Sequence, residues 1–220
     1  MNNVGTIFTE TLRRSWRQMI YWGIGLGLMA LTIIAVIPNV DTLEQYKDIV
    51  ETMPPVLMQA VGLSDANTLA TPEGFMAYGF FTYAILLLAV YAIIAGLNIT
   101  AVEEDSGIMD ILLTLPIKRW QVVVEKFAAY TLMLVGILLV SALGVLTAPS
   151  VVDYELDMGV MAESYINTFP PVLLMMAFTA FAATVVRRRA TAMTIAVVFV
   201  VGSYFVNFIG RAARDTIAEV

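Results

Sequence analysis

Five long apolar runs constrain this chain more than any other feature. They lie at about residues 19–38, 75–97, 122–148, 166–186 and 191–209. A helix needs about 20 predominantly apolar residues to cross the hydrocarbon core of a bilayer. In that core no water is present to satisfy backbone N–H and C=O groups, so a crossing segment must satisfy them internally, as a helix does. The fold class that follows is all-α: a polytopic membrane helix bundle of five spans, forming a single transmembrane domain over residues 1–220. Composition agrees, with 60% hydrophobic and 14% charged residues, against about 45–50% and about 25% in soluble domains.

The chain has no Cys and no His. That removes disulfides, thiol nucleophiles, imidazole acid–base catalysis and His/Cys metal centres together. No GxxxxGK[ST] or GxGxxG loop is present, so nucleotide binding by this chain itself is not expected. The net charge of −6 is not the basic footprint of a nucleic-acid binder. The first apolar run is long enough to span and lacks a small-residue cleavage site, so it is not read as a cleavable signal.

Orientation follows from the bases near the span ends. Arg13, Arg14 and Arg17 precede the first span, Lys118, Arg119 and Lys126 flank the loop after the second, and Arg187, Arg188 and Arg189 separate the fourth and fifth as a tight hairpin. These all fall on one side, assigned to the cytoplasm together with the N-terminus. The two opposite loops hold Lys47 as their only base, with acids from Asp41 to Glu163. Residues 4–18 read as an interfacial helix: Phe8, Leu12 and Trp16 recur at helical spacing, while Arg13, Arg14 and Arg17 lie off that stripe, near anionic membrane lipid. In the outer loop, residues 39–74, Leu43, Tyr46, Val50 and Met53 have helical spacing until Pro54-Pro55. Within the first span, Gly23, Gly25 and Gly27 include a small-xxx-small pair, a hint of a helix-packing face. No span carries a charge near its middle, which argues against an ion-driven secondary transporter.

The loop at residues 98–121 contains "EEDSGIMDILLTLPIKRW". Burying Glu103, Glu104 and Asp105 at the bilayer centre would cost on the order of 8–10 kcal/mol, which the neighbouring Leu and Ile cannot offset. The acids therefore lie at or beyond the interface. Thr100 followed by Glu103 is a capping-box pattern, Gly107 can re-aim the chain, and Pro116 ends a short helix near Leu115. That helix is apolar nearly all round: Ile108, Leu112 and Leu115 form one stripe, Met109 and Leu113 another, and only Asp110 and Thr114 are polar. Such a helix needs cover. Either a partner protein supplies a groove, or the helix folds under its own bundle.

A span, then "EEDSGIMDILLTLPIKRWQVVVEK", then a span resembles the permease subunits of type-2 ABC exporters. The matching positions are Glu103, Glu104, Asp105, Gly107, Asp110, Leu112-Leu113, Pro116, Arg119 and Lys126; "LATPEGFMAYGFF", "RRRATAM" and the basic start of the chain are also similar. The resemblance implies a permease that pairs with a second permease chain, homo- or heterodimeric, and docks two cytoplasmic ABC ATPase subunits through a coupling helix in this loop. It places the chain in a prokaryotic cytoplasmic (inner) membrane. The chain itself would hold no cofactor, with ATP and Mg in the partner ATPase, and would not be an enzyme. The family has six spans where five are found here, so a sixth is expected beyond "RAARDTIAEV". The substrate path is expected between two permeases, lined partly by the first, second and fifth spans. Two other readings stand beside this one. Glu103, Glu104, Asp105 and Asp110 could hold a hard metal in a carboxylate-based membrane enzyme. Alternatively, the chain could be a non-transporting anchor that recruits or regulates an ATPase.

Overall fold

Each apolar run becomes a helix, and the helices are longer than the runs. The computed structural model describes residues 5–36, 48–49, 52, 71–100, 118–147, 156–186 and 188–218, and for 119, 207–208 and 211–218 the backbone alone. Among the described residues, five helices are long and apolar enough to cross a membrane: α1 (Thr6–Val36), α2 (Pro72–Ile99), α3 (Arg119–Leu146), α4 (Met158–Val185) and α5 (Arg189–Ala218). No strand occurs among the described residues. This is an all-α membrane bundle. The expected outer-loop helix falls almost wholly outside the described residues.

Residues 6–18, most of the segment read as an interfacial helix, are continuous with the first span: α1 runs without a break from Thr6 to Val36. No Pro or Gly interrupts it between Thr6 and Trp22, and Leu12 and Met19 pack against the bundle core from the same rod. The fourth helix also starts earlier than its apolar run. The Asp157 side chain caps it, accepting from the N–H groups of Gly159 (2.7 Å) and Val160 (3.2 Å). The Asp157 N–H in turn donates to Glu73 Oε1 at 3.0 Å, tying the starts of α2 and α4 together.

The tightest approaches are made at glycines. The helices α1 and α3 run parallel. A Cβ on Gly144 would sit 2.6 Å from the Gly27 carbonyl oxygen, and one on Gly23 would sit 2.6 Å from Val140 Cβ. Gly23 and Gly27 are thus the small-xxx-small pair that packs, while a Cβ on Gly25 would meet nothing within 4 Å. Between α2 and α4, a Cβ on Gly96 would come within 2.9 Å of the Met176 carbonyl. Without a hydrophobic drive between helices in lipid, close backbone approach of this kind supplies much of the attraction.

Polar contacts join the α1–α3 pair to the rest. Tyr91 of α2 donates to the Tyr130 carbonyl of α3 at 3.0 Å, and the Ser141 and Tyr165 hydroxyls lie 3.1 Å apart. In α2 a π-helical turn, Ala77–Phe81, widens the helix. It leaves both Phe80 and Phe81 buried against Tyr165, with the Phe81 and Tyr165 ring centroids 5.0 Å apart. The fifth helix packs through Ala192, Ala196 and Val200 onto Ala89, Ile93 and Leu97 of α2. Val198, Phe205, Val206 and Ile209 of α5 are exposed.

Candidate functional site: the base of the loop after α2

The ends of α2 and α3 bracket residues 101–117, and one pair of adjacent residues organises the structure there. Glu125 lies in the second turn of α3. Its carboxylate accepts from the backbone N–H groups of Gly5 (3.0 Å), Ile7 (3.1 Å) and Phe8 (3.1 Å). The first N–H groups of a helix have no partner within the helix. α1 opens at Gly5-Thr6 with no Ser, Asp or Asn in the cap position. Glu125 supplies the missing acceptor from another helix. It also places a negative charge at the positive end of the α1 dipole, where it is stabilising.

Lys126 does the reverse. It is buried, at 7% exposure, and its Nζ donates to the Asn98 carbonyl in the last turn of α2 at 3.2 Å. A cation at the negative end of a helix satisfies an orphan carbonyl and suits the dipole. Consecutive residues of α3 thus hold the start of α1 and the end of α2. The first turn of α3 is tied as well, by Lys118 N–H donating to Gln121 Oε1 at 3.1 Å.

Glu125→Ala is expected to leave the α1 start without its cap, a loss of about 1–2 kcal/mol. Hydrogen exchange at the amides of Gly5, Ile7 and Phe8 measures it; unchanged rates there would contradict the capping role. Glu125→Gln keeps an acceptor and loses the charge, and should fall between the two.

The structure distributes the expected site residues unevenly. Glu103, Glu104, Asp105, Gly107, Met109, Asp110, Leu112, Leu113 and Pro116 lie outside the described residues. Arg119 is the first residue of α3. Thr100, expected to cap a helix, closes α2, and its buried Oγ1 has no partner among the described residues. On α1, Leu12 packs against the core and Phe8 is half-buried, whereas Arg13, Arg14, Trp16 and Arg17 are exposed. The guanidinium of Arg17 lies 5.7 Å from the centroid of the Trp16 ring.

The roles of Glu125 and Asn98 did not emerge from the sequence. The available signal was the pair of opposite charges opening an otherwise apolar helix, together with the missing cap at Gly5-Thr6.

What this arrangement can do is mechanical. It binds three helix ends into one base, from which the segment 101–117 departs and to which it returns. No curated protein matches the chain, and no solved structure does. The family model described as "ABC-2 family transporter protein" matches residues 6–215, which takes in α1 to α4, all but the last three residues of α5, and the loop between α2 and α3. The chain belongs to the ABC-2 family of transporter membrane proteins, as a permease.

Proposed function

We propose that this permease is the membrane half of an ATP-driven exporter. It pairs with a second permease chain and docks two cytoplasmic ATPase subunits through the segment 101–117. It lies in a prokaryotic inner membrane with its N-terminus in the cytoplasm, and hydrolysis of ATP with Mg takes place in the partner. The observation that carries this reading is the base built by Glu125 and Lys126. A push or pull on a segment rooted there is delivered to α1, α2 and α3 together rather than dissipated in fraying helix ends. The apolar, nearly uncharged run of Met109, Leu112 and Leu113 suits a groove on a motor subunit. Glu103, Glu104 and Asp105 suit the N-terminus of the helix that carries the run. ATP binding, by drawing two such segments together, would switch the path between the permeases from inward to outward access.

Purifying the chain with a candidate cytoplasmic ABC ATPase, and measuring substrate-stimulated hydrolysis in liposomes, tests the reading. Transport without any ATPase, or no association with one, would overturn it.

Topology is checked separately. The native chain has no Cys, so labelling has no background. Cys at Gln45 or Asp157 is expected to react with an impermeant thiol reagent added to intact cells, and Cys at Ser106 or Arg188 is not. Labelling at position 106 would reverse the orientation.

A further inference from the structure

Among the described residues one helical turn is π, and it divides α2 in two. The long part, Thr82–Ile99, is firmly held. Lys126 binds its last turn at the Asn98 carbonyl, the Tyr91 hydroxyl donates to the Tyr130 carbonyl, and Gly96 lies against Met176 and Thr179 of α4. The short part, Pro72–Met76, stands at the opposite end of the bundle. Glu73 ties it to the start of α4, accepting from the Asp157 N–H at 3.0 Å. Between the two parts, the π turn Ala77–Phe81 carries bonds that reach one residue farther than those of an α-helix. Both the N–H and the hydroxyl of Thr82 donate to the Ala77 carbonyl.

Such a turn is a one-residue surplus in an α-helix, rare and frequently found at functional sites. Packing has to stabilise it. Here two consecutive residues, Phe80 and Phe81, are both buried. Tyr165 of α4 lies against both rings, with centroids 6.1 and 5.0 Å away. The facing helix has a weak point of its own nearby. Shortly after Tyr165, Pro170 and Pro171 stand inside α4, and the Ile166 and Asn167 carbonyls lose their helical donors.

A turn with a surplus residue has a second arrangement close by. If Ala77–Phe81 took α geometry, Pro72–Met76 would rotate by about 100° against Thr82–Ile99, the angle of one residue at about 3.6 per turn. The rotation would take Glu73 off the Asp157 N–H and Met76 out of the core. It would gain regular α-helical bonds. Backbone regularity therefore favours one arrangement, and the Glu73 tie with the aromatic packing favours the other. A balance of this kind is what a two-state element requires.

We propose that the π turn is a register switch: through it Pro72–Met76 turns off α4 and opens the end of the bundle opposite Glu125 and Lys126, with Glu73 as the latch. The switch rests on the permease reading only for its purpose, the opening of the path at that end. The motion belongs to the permease itself, so it is tested with neither ATPase nor substrate present.

The chain has no Cys, so Met76→Cys gives it a single thiol in the part that turns. Leu88→Cys, at a buried position of the held part, gives the reference. Each chain is placed in nanodiscs and reacted with N-ethylmaleimide. Glu73→Ala is expected to speed labelling at position 76 by about tenfold, the effect of losing a hydrogen bond to a charged acceptor, and to leave position 88 unchanged. Deleting Ala77, which is exposed, removes the surplus residue and leaves α2 a regular helix with both parts facing as before. In that chain, labelling at position 76 is expected to be slow and indifferent to Glu73→Ala. Acceleration by Glu73→Ala with Ala77 deleted would mean ordinary fraying of a helix end, and would overturn the proposal. Equal acceleration at position 88 would mean a general loosening of the bundle and would overturn it too, as would no acceleration at position 76 in the undeleted chain. A chain that fails to fold without Ala77 would show that the turn holds no surplus residue, with the same consequence.

Discussion

Leu113→Asp is expected to abolish docking of the ATPase while leaving the permease inserted and folded. If Met109, Leu112 and Leu113 fill a groove on the motor subunit, the substitution buries a carboxylate with no partner. An unpaired buried charge costs several kcal/mol, and about 1.4 kcal/mol is tenfold in affinity, so binding should weaken by a hundredfold or more. The sequence expectation puts this segment at or beyond the interface, so insertion should not suffer. Asp110→Asn provides the contrast. An Asp110 that only orients the helix should tolerate the change, whereas an Asp110 that held a catalytic metal would make this the more damaging variant. Co-purification with the ATPase and substrate-stimulated hydrolysis measure both. Normal docking and stimulation by Leu113→Asp would remove the coupling role from this segment, and would leave the family membership untouched.

Gly144→Leu is expected to separate α1 from α3 and lower the thermal stability of the bundle in detergent. Two effects compete. Replacing a helical Gly by a better helix former gains about 1 kcal/mol. Against it, the new Cβ would lie 2.6 Å from the Gly27 carbonyl oxygen and 2.9 Å from Gly27 Cα. These are backbone atoms, which cannot rotate away as a side chain can. The clash can be relieved only by moving the helices apart, and that would disturb the Gly23–Val140 contact one turn below. Overpacking of this kind typically costs about 1–3 kcal/mol and occasionally more, and a full Leu side chain belongs at the upper end, so the steric loss wins. Gly25→Ala, where a Cβ meets nothing within 4 Å, should be neutral or slightly stabilising. Equal melting temperatures for Gly144→Leu and Gly25→Ala would show that α1 and α3 do not pack as described.

These two experiments fall on either side of the line between what sequence carries and what it does not. The sequence by itself determined the number of spans, the all-α class, and the family resemblance that the match over residues 6–215 bears out. Those are local properties: the length of an apolar run is set against the thickness of a bilayer, and a loop motif is contiguous. Half of the glycine pattern was legible for the same reason, since the Gly23–Gly27 spacing is visible along one helix.

The tertiary structure alone decided which helix that face meets, and that α3 runs parallel to α1 in a register of 117 residues. It decided that the basic segment continues α1, because packing of Leu12 and Met19 on the bundle holds that turn in line with the span. It also gave Glu125 a role no periodicity could suggest. A carboxylate near the start of an apolar helix reads locally as a boundary charge, but here it caps a different helix more than a hundred residues away. Helix length and burial are encoded in neighbours along the chain; register and capping across the bundle are set by groups that only folding brings together.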